Sequence, residues 1–158
     1  VRLVIAGAGD LDDELRQRAS RGGAAVQFLG NVPHNQVASW FAAADVAVVP
    51  SVRDDSGNVD GLPNTVLEAL ASGTAVVATR AGGIAAAIDD GRTGLLVPEK
   101  SPQALAAAVA SLLDDRALRT AIGAAARQDV ERRFGWDAAV KGFDAAYDRA
   151  LAFKSLGR

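Results

Sequence analysis

Three consecutive runs decide the fold. They are Asp45-Val46-Ala47-Val48-Val49-Pro50, the polar run Ser51-Val52-Arg53-Asp54-Asp55-Ser56-Gly57-Asn58-Val59-Asp60-Gly61-Leu62, and Pro63-Asn64-Thr65-Val66-Leu67-Glu68-Ala69-Leu70-Ala71-Ser72-Gly73-Thr74-Ala75-Val76-Val77-Ala78-Thr79. A short β-branched run passes through a polar loop into apolar residues at helical spacing, and a second β-branched run closes the unit. Neither β-branched run alternates with polar residues, so neither strand has a face suited to water. Strands of that kind sit in parallel sheets covered by helices on both sides.

The same alternation extends outward in both directions. Strands are predicted over residues 1–6, 25–29, 45–50, 74–79 and 94–97, and helices over 11–20, 35–44, 63–72 and 83–89. The fold class is therefore α/β, a doubly wound parallel sheet in a three-layer αβα arrangement with right-handed crossovers. After Val97 the strands stop. Ser101-Pro102 reads as a helix start, with Ser as N-cap and Pro at the first helical position. C-terminal helices follow over 102–113, 115–133 and 136–153, the second with a stripe of Ala117, Leu118, Ile122, Ala125 and Ala126. Phe134-Gly135-Trp136 marks the break between the last two.

Composition narrows the classes of function. The 158 residues are 49% hydrophobic and 23% charged, with net charge −2, as in globular domains. The charges are dispersed, so neither a nucleic-acid track nor a polybasic membrane patch is expected. There is no cysteine and one histidine, His34, which excludes thiolate metal sites and disfavours a histidine triad. His34 reads as a cap or decoration of the helix at Asn35. No apolar run approaches the ~20 residues that cross a bilayer, and no signal-peptide pattern is present. The cytoplasm is the expected compartment. The chain lacks methionine and begins within a strand, so it is expected to be a piece of a longer protein.

Two segments can carry chemistry. Gly7-Ala8-Gly9 follows the first strand, but the third glycine of a dinucleotide fingerprint is missing at Leu11 or Asp12. Asp10, Asp12, Asp13 and Glu14 would repel a phosphate there, so the segment reads as a tight turn and an acidic helix start. The second is the loop and helix start around Pro63. It lies at the C-terminal end of a strand, where open α/β sheets bind ligands. A helix N-terminus offers free amides and a positive dipole end to phosphate. Asn64 and Glu68 share one helix face, and at most ~12 Å of helical rise separates Asp60 from Glu68. That span suits a ligand made of a polyol, a diphosphate and a second polyol.

Several segments together resemble the group 1 retaining glycosyltransferases of GT-B architecture, whose C-terminal domain carries a Glu-x7-Glu motif. Asp60-Gly-Leu-Pro-Asn-Thr-Val-Leu-Glu68 has that spacing, with Asp in first place. Phe28-Leu29-Gly30-Asn31-Val32 is similar to the family's nucleobase turn, and Ala44 to Ser51 to its strand before the motif. Gly73-Thr74-Ala75-Val76-Val77-Ala78, Ala81-Gly82-Gly83 and Asp90-Gly91-Arg92-Thr93-Gly94-Leu95-Leu96-Val97 continue the match over nearly the whole chain. The loop over 53–59 is most similar to members that build bacterial exopolysaccharides.

The resemblance implies a Rossmann-like domain spanning 1–158 that binds a UDP-, GDP- or ADP-sugar. It also implies that the domain's first strand-helix unit and an N-terminal acceptor-binding domain lie outside the chain, which by itself should not transfer sugar. Glu68 is implied to accept from the ribose hydroxyls and Asp60 to hold the donor sugar, the pair on which catalysis depends. Backbone amides of Leu62, Asn64 and Thr65 would meet the diphosphate, where Pro63 has none to give. Val32 would pair with the base through its backbone, and Gly61 would let the sugar approach. The chemistry implied is ionisation of the donor C1–O bond with retention, without a metal or other cofactor. Expected partners are the donor and the acceptor domain, not nucleic acid, with peripheral attachment of the full enzyme to the inner face of a membrane. Polysaccharide or glycoconjugate assembly is the implied setting.

The chain departs from the family pattern in three places. Asp60 is one methylene short, Ala85-Ala86 stand where many members have Pro-Glu, and the family's diphosphate-clamping Arg and Lys fall before Val1. Arg53 and Arg80 read as surface residues, and Phe28, Trp40 and Phe41 as core. Asp54-Asp55 is adjacent rather than spaced for chelation and reads as loop solvation. The alternative reading is a non-catalytic nucleotide-binding or interaction domain that kept the fold. A dinucleotide oxidoreductase is disfavoured by the failed fingerprint.

Overall fold

The computed structural model describes residues 1–23, 25–59 and 61–156, with side chains to 153. Asp60 lies outside the described residues. The chain packs as two compact units, Val1–Trp40 and Phe41–Arg158.

The first unit holds β1 (Arg2–Ala6), α1 (Asp12–Gly22), β2 (Ala25–Gly30) and most of α2 (His34–Ala43). β1 and β2 form a parallel ladder from Arg2↔Ala25 to Ala6↔Gly30, with a register shift after Ile5. Gly7 leaves the strand at φ 126, and its N–H bonds to the Gly30 carbonyl at 2.8 Å. That tight turn, followed by Asp12, Asp13 and Glu14 in the first turn of α1, is the non-phosphate reading of the glycines. α1 runs two residues past its expected end because Gly23, at φ 65, supplies the left-handed cap. Phe28 is half-buried under the Arg16 guanidinium, 4.4 Å from the ring centre, rather than set in a core. Trp40 is exposed, which corrects its reading as core.

The second unit holds β3 (Val46–Val49), α3 (Asn64–Ala71), β4 (Ala75–Thr79), α4 (Ile84–Ala87) and β5 (Leu95–Val97), then α5 (Pro102–Asp114), α6 (Arg116–Phe134) and α7 (Trp136–Leu156). β3, β4 and β5 form a second parallel ladder with β4 central, in register Val46↔Ala75 and Val77↔Leu95. Within each unit the pairing is parallel, as expected from the sequence.

All five residues of β4 are buried, and their alternation builds two cores. Val76 and Ala78 pack with Val66, Ala69 and Leu70 of α3, Ile84 and Ala87 of α4, and Ala126 and Val130 of α6. Ala75 and Val77 face the other way, onto Val97, Leu112 and Ile122, with Leu105 and Val109 of α5 beside them. Helices therefore cover both faces of this ladder, the Rossmann-like α/β arrangement, with helices completing the C-terminal end.

The α6 stripe is rotated from the expected one. Leu118 is exposed, and Ile122, Gly123, Ala126, Asp129 and Val130 face inward. Gly123 sets this rotation, since its α-carbon lies against the Gly73 carbonyl and a side chain there would overlap it. Ser101 stands at the N-cap of α5 without a side-chain cap bond, whereas Asp115 caps α6 by accepting from Leu118 N–H at 2.9 Å. Gly135, extended at φ −68 and ψ 159, separates α6 from α7. No helix among the described residues is long and apolar enough to cross a membrane.

Candidate functional site

α3 starts where the polar loop from β3 returns. Pro63 is extended at φ −60 and ψ 130, and the first bond of the turn runs from Val66 N–H to the Pro63 carbonyl at 3.0 Å. The amides of Asn64 and Thr65 precede the helical ladder and have no helical acceptor to reach. Both residues are exposed, while Val66, Ala69 and Leu70 are buried and hold the helix to β4. The apolar triplet fixes the roll of α3, which places Asn64 and half-buried Glu68 together on one face. The structure thus gathers Gly61, Leu62, Asn64, Thr65 and Glu68 at one helix start. Val32 is half-buried in the β2–α2 turn of the first unit.

Gly61 owes its position to a residue that sequence reading grouped only as part of a matching loop. Gly83 donates its N–H to the Gly61 carbonyl. A Cβ on Gly83 would stand 2.6 Å from that oxygen and 3.2 Å from its carbon. Gly83 has an ordinary φ of −81, so space rather than backbone conformation demands glycine. A Cβ on Gly61 would point into open space, leaving its outer side accessible to a ligand. The glycine pair after β4 was the available signal for this contact.

The loop before the site is tied at both ends and across its middle. Thr79 donates its hydroxyl to the Ser51 carbonyl. Glu99, in the turn after β5, accepts the Arg53 N–H at 2.6 Å. The Arg53 guanidinium donates to the Gly57 carbonyl at 2.9 Å, a structural use that fits its expected surface role. Asp54 Oδ1 accepts from the Ser56 hydroxyl, the Ser56 amide and the Asn58 amide, at 2.7, 2.9 and 2.8 Å. Those bonds, the Ser56 hydroxyl first, hold its carboxyl below the usual range. Asp54 therefore organises the loop rather than merely solvating it, and Asp55 pairs with Lys100 at 3.6 Å. Arg80 pairs with Asp90.

Two surface cavities have no lining residue from the start of α3. One, of about 270 Å³, is lined by Arg92, Ala125, Gln128, Asp129 and Arg132. The other, of about 210 Å³, lies among Pro50, Val52, Thr79, Pro98 and Leu105. The candidate site is thus a helix start with an open face. Among the described residues, no group of three or more His, Cys, Asp or Glu side chains is placed to hold a metal ion.

Comparisons with known proteins bear on this geometry. The sequence model of the family described as "Glycosyl transferases group 1" matches residues 1–115. The D-inositol 3-phosphate glycosyltransferase of Streptomyces avermitilis is 40% identical over 139 residues, covering 87% of this chain and 28% of that protein. A GDP-mannose-dependent alpha-(1-6)-phosphatidylinositol monomannoside mannosyltransferase of Mycobacterium tuberculosis is 38% identical over 138 residues, covering 85% of this chain and 36% of that protein. Among solved structures, the C-terminal domain of the group 1 family protein LpcC from Francisella tularensis superposes with a TM-score of 0.70. It is 31% identical, and the match covers 80% of this chain and 64% of that one. The chain spans 28% and 36% of the length of the two curated relatives.

Proposed function

Because this chain belongs to the group 1 glycosyltransferases, as a C-terminal GT-B domain, we propose that it binds the nucleotide-diphosphate sugar for retaining transfer by a longer enzyme. The observation that carries this reading is the start of α3, where two exposed first-turn residues present amides ahead of the helical ladder with Glu68 one turn on. Amides and helix dipole together suit a diphosphate. Glu68 accepts from the ribose hydroxyls, and Asp60 holds the donor sugar beside Gly61. In the transfer step the sugar C1–O bond breaks, and its electron pair leaves with the diphosphate. The amides of Leu62, Asn64 and Thr65 stabilise the charge that develops there. The acceptor oxygen then bonds to C1 on the face the diphosphate left and passes its proton to the departing diphosphate oxygen, which has taken up the C1–O electron pair.

The donor is UDP- or GDP-linked, or less often ADP-linked, and Val32 meets the base through its backbone. No metal takes part. The setting is assembly of a bacterial polysaccharide or glycoconjugate. Support comes from the two curated relatives, whose names describe transfer to inositol phosphate and to a phosphatidylinositol monomannoside.

Calorimetric titration with UDP, GDP and NAD, each with and without a chelator, checks this. One of the two nucleoside diphosphates should bind with an affinity within about twofold in chelator, a change under ~0.5 kcal/mol, and NAD should not bind. Binding of neither diphosphate would favour a non-catalytic domain with the same fold. Binding lost in chelator and restored by manganese would overturn the metal-free reading.

The acceptor domain of the same enzyme is the proposed partner of α7. Trp136, Val140, Phe143, Tyr147 and Leu151 follow one another at steps of four, three, four and four along this helix, and each is more than half exposed. That spacing makes one apolar face, of a kind that soluble proteins normally cover. The matches cover only 28% and 36% of the two curated relatives, whose remaining length would supply a cover from the same chain. Tyr147→Ala should leave nucleotide affinity of this chain unchanged and destabilise the whole enzyme by about 1–2 kcal/mol, the range of a moderate interface contact. Equal melting of variant and unaltered whole enzyme would refute the contact.

A further inference from the structure

Behind the α4 loop lies an ionic cluster that the reading above does not use. Asp129 of α6 is buried, 4% exposed, yet carries three arginines. Its Oδ1 accepts from Arg132 at 2.6 Å and from Arg92 at 3.4 Å, and its Oδ2 accepts from Arg133 at 2.8 Å. These bonds, Arg133 foremost, hold the carboxyl below its ordinary value of 3.8.

Among the described residues, Arg133 is the one of the three arginines that reaches onward to backbone. Arg133 donates Nη2 to the Ala86 carbonyl at 2.6 Å and Nη1 to the Ala87 carbonyl at 3.5 Å. Those are the last two residues of α4, whose closing carbonyls have no helical donor of their own. α4 has only four residues and cannot hold its own conformation. At its other end, Gly83 donates to the Gly61 carbonyl at the start of the donor turn. A continuous set of bonds therefore runs from Asp129 through Arg133 to the end of α4, and from the start of α4 to Gly61. The apolar side chains of Ile84 and Ala87, both buried, keep the loop between the two anchors pressed on the core.

We propose that Asp129 and Arg133 are positioning residues of the nucleotide-sugar site, holding α4 so that Gly83 fixes the Gly61 turn. This rests on the donor reading of that turn. Neither residue touches the donor. Asp129 orients the Arg133 guanidinium, and Arg133 transmits the constraint through two carbonyls. Arg92 and Arg132 share the carboxylate and keep it ionised while Arg133 works.

The test compares Arg133→Met, which keeps the aliphatic stem and removes the donors, with Val97→Ala, which loosens the opposite core. Two quantities are read in the whole chain, amide exchange by segment and affinity for UDP or GDP. In Arg133→Met, exchange over 83–88 and over 61–66 should rise together by about tenfold or more relative to α5, as expected for losing charged hydrogen bonds to carbonyls. Affinity should fall by at least about threefold, as the docked turn becomes a minority. Arg133→Lys should recover part of both. Val97→Ala should raise exchange without the 61–66 signature and leave affinity intact.

Faster exchange at 83–88 with 61–66 unmoved would overturn the coupling. So would unchanged affinity in an Arg133→Met protein whose loop has loosened. If the unaltered chain takes neither UDP nor GDP, the donor reading fails instead, and the coupling is judged by whether the two segments loosen together.

Discussion

Glu68→Ala, made in the full-length enzyme, should weaken a nucleoside diphosphate with an intact ribose by about 10- to 150-fold and barely alter binding of its 2′,3′-dideoxy analogue. Hydrogen bonds to a charged group contribute roughly 1.5–3 kcal/mol, and each 1.4 kcal/mol is about tenfold in affinity. The dideoxy ligand lacks both hydroxyls, so it loses nothing when the carboxylate goes. Comparing the two ligands on two proteins isolates the contact from any loosening of α3. Such loosening should be small, since the core side of the helix is held by Val66, Ala69 and Leu70. Asp60→Ala should spare the bare diphosphate and weaken only the nucleotide sugar. Equal weakening of ribo and dideoxy ligands by Glu68→Ala would remove the ribose role.

Gly123→Ala should destabilise the second unit by about 2–3 kcal/mol, near the upper end of ordinary overpacking. For a chain of this size that lowers the melting midpoint by roughly 4–12 °C. The added methyl would overlap the Gly73 carbonyl. That oxygen cannot easily retreat, because Gly73 is at φ 71 and its N–H is bonded to the Leu70 carbonyl at 3.0 Å. Thr74 next to it donates its hydroxyl to the Phe41 carbonyl at 2.7 Å, which pins the turn from the other side. Gly142→Ala in α7 is the matched control, since a Cβ there meets nothing within 4 Å. It should be neutral or stabilising by up to about 1 kcal/mol through helix propensity. Circular dichroism melts of the two variants decide the matter. An unchanged midpoint for Gly123→Ala would show that α6 can shift away from the turn.

The elements were legible in the sequence because local signals agreed with tertiary need. β-branched runs marked β3, β4 and β5 to within a residue or so of their ends, and Pro102 and Gly135 punctuated the helices where the chain breaks. The tight turn at Gly7 and the acidic start of α1 were legible as well. The start of α3 was legible too, since a strand end, a proline and a run at helical spacing mark it within a few residues. What stayed hidden depends on residues far apart in the chain. Arg53 and Glu99 are 46 residues apart, and Arg133 lies 47 residues from Ala86. No periodicity encodes such pairings. The α6 stripe was read correctly at Ile122 and Ala126 but missed Gly123 and included exposed Leu118, since Leu118 looks more apolar than Gly123, whereas only glycine allows the backbone approach made there.

Interior is unevenly shared between the two compact units. Among the described residues, every buried one belongs to the unit beginning at Phe41, and none belongs to Val1–Trp40. Local opening free energy follows buried apolar contact, so the first unit should open at lower cost than the β4 core. Unfolding of this chain should then depart from an all-or-none event, and one free energy of unfolding should not describe it. A broad, shallow denaturant transition in this molecule would report independent opening rather than a weak core. The steepness of the curve would carry information about the number of cooperative blocks, and a single midpoint would belong to whichever block the chosen probe happens to watch.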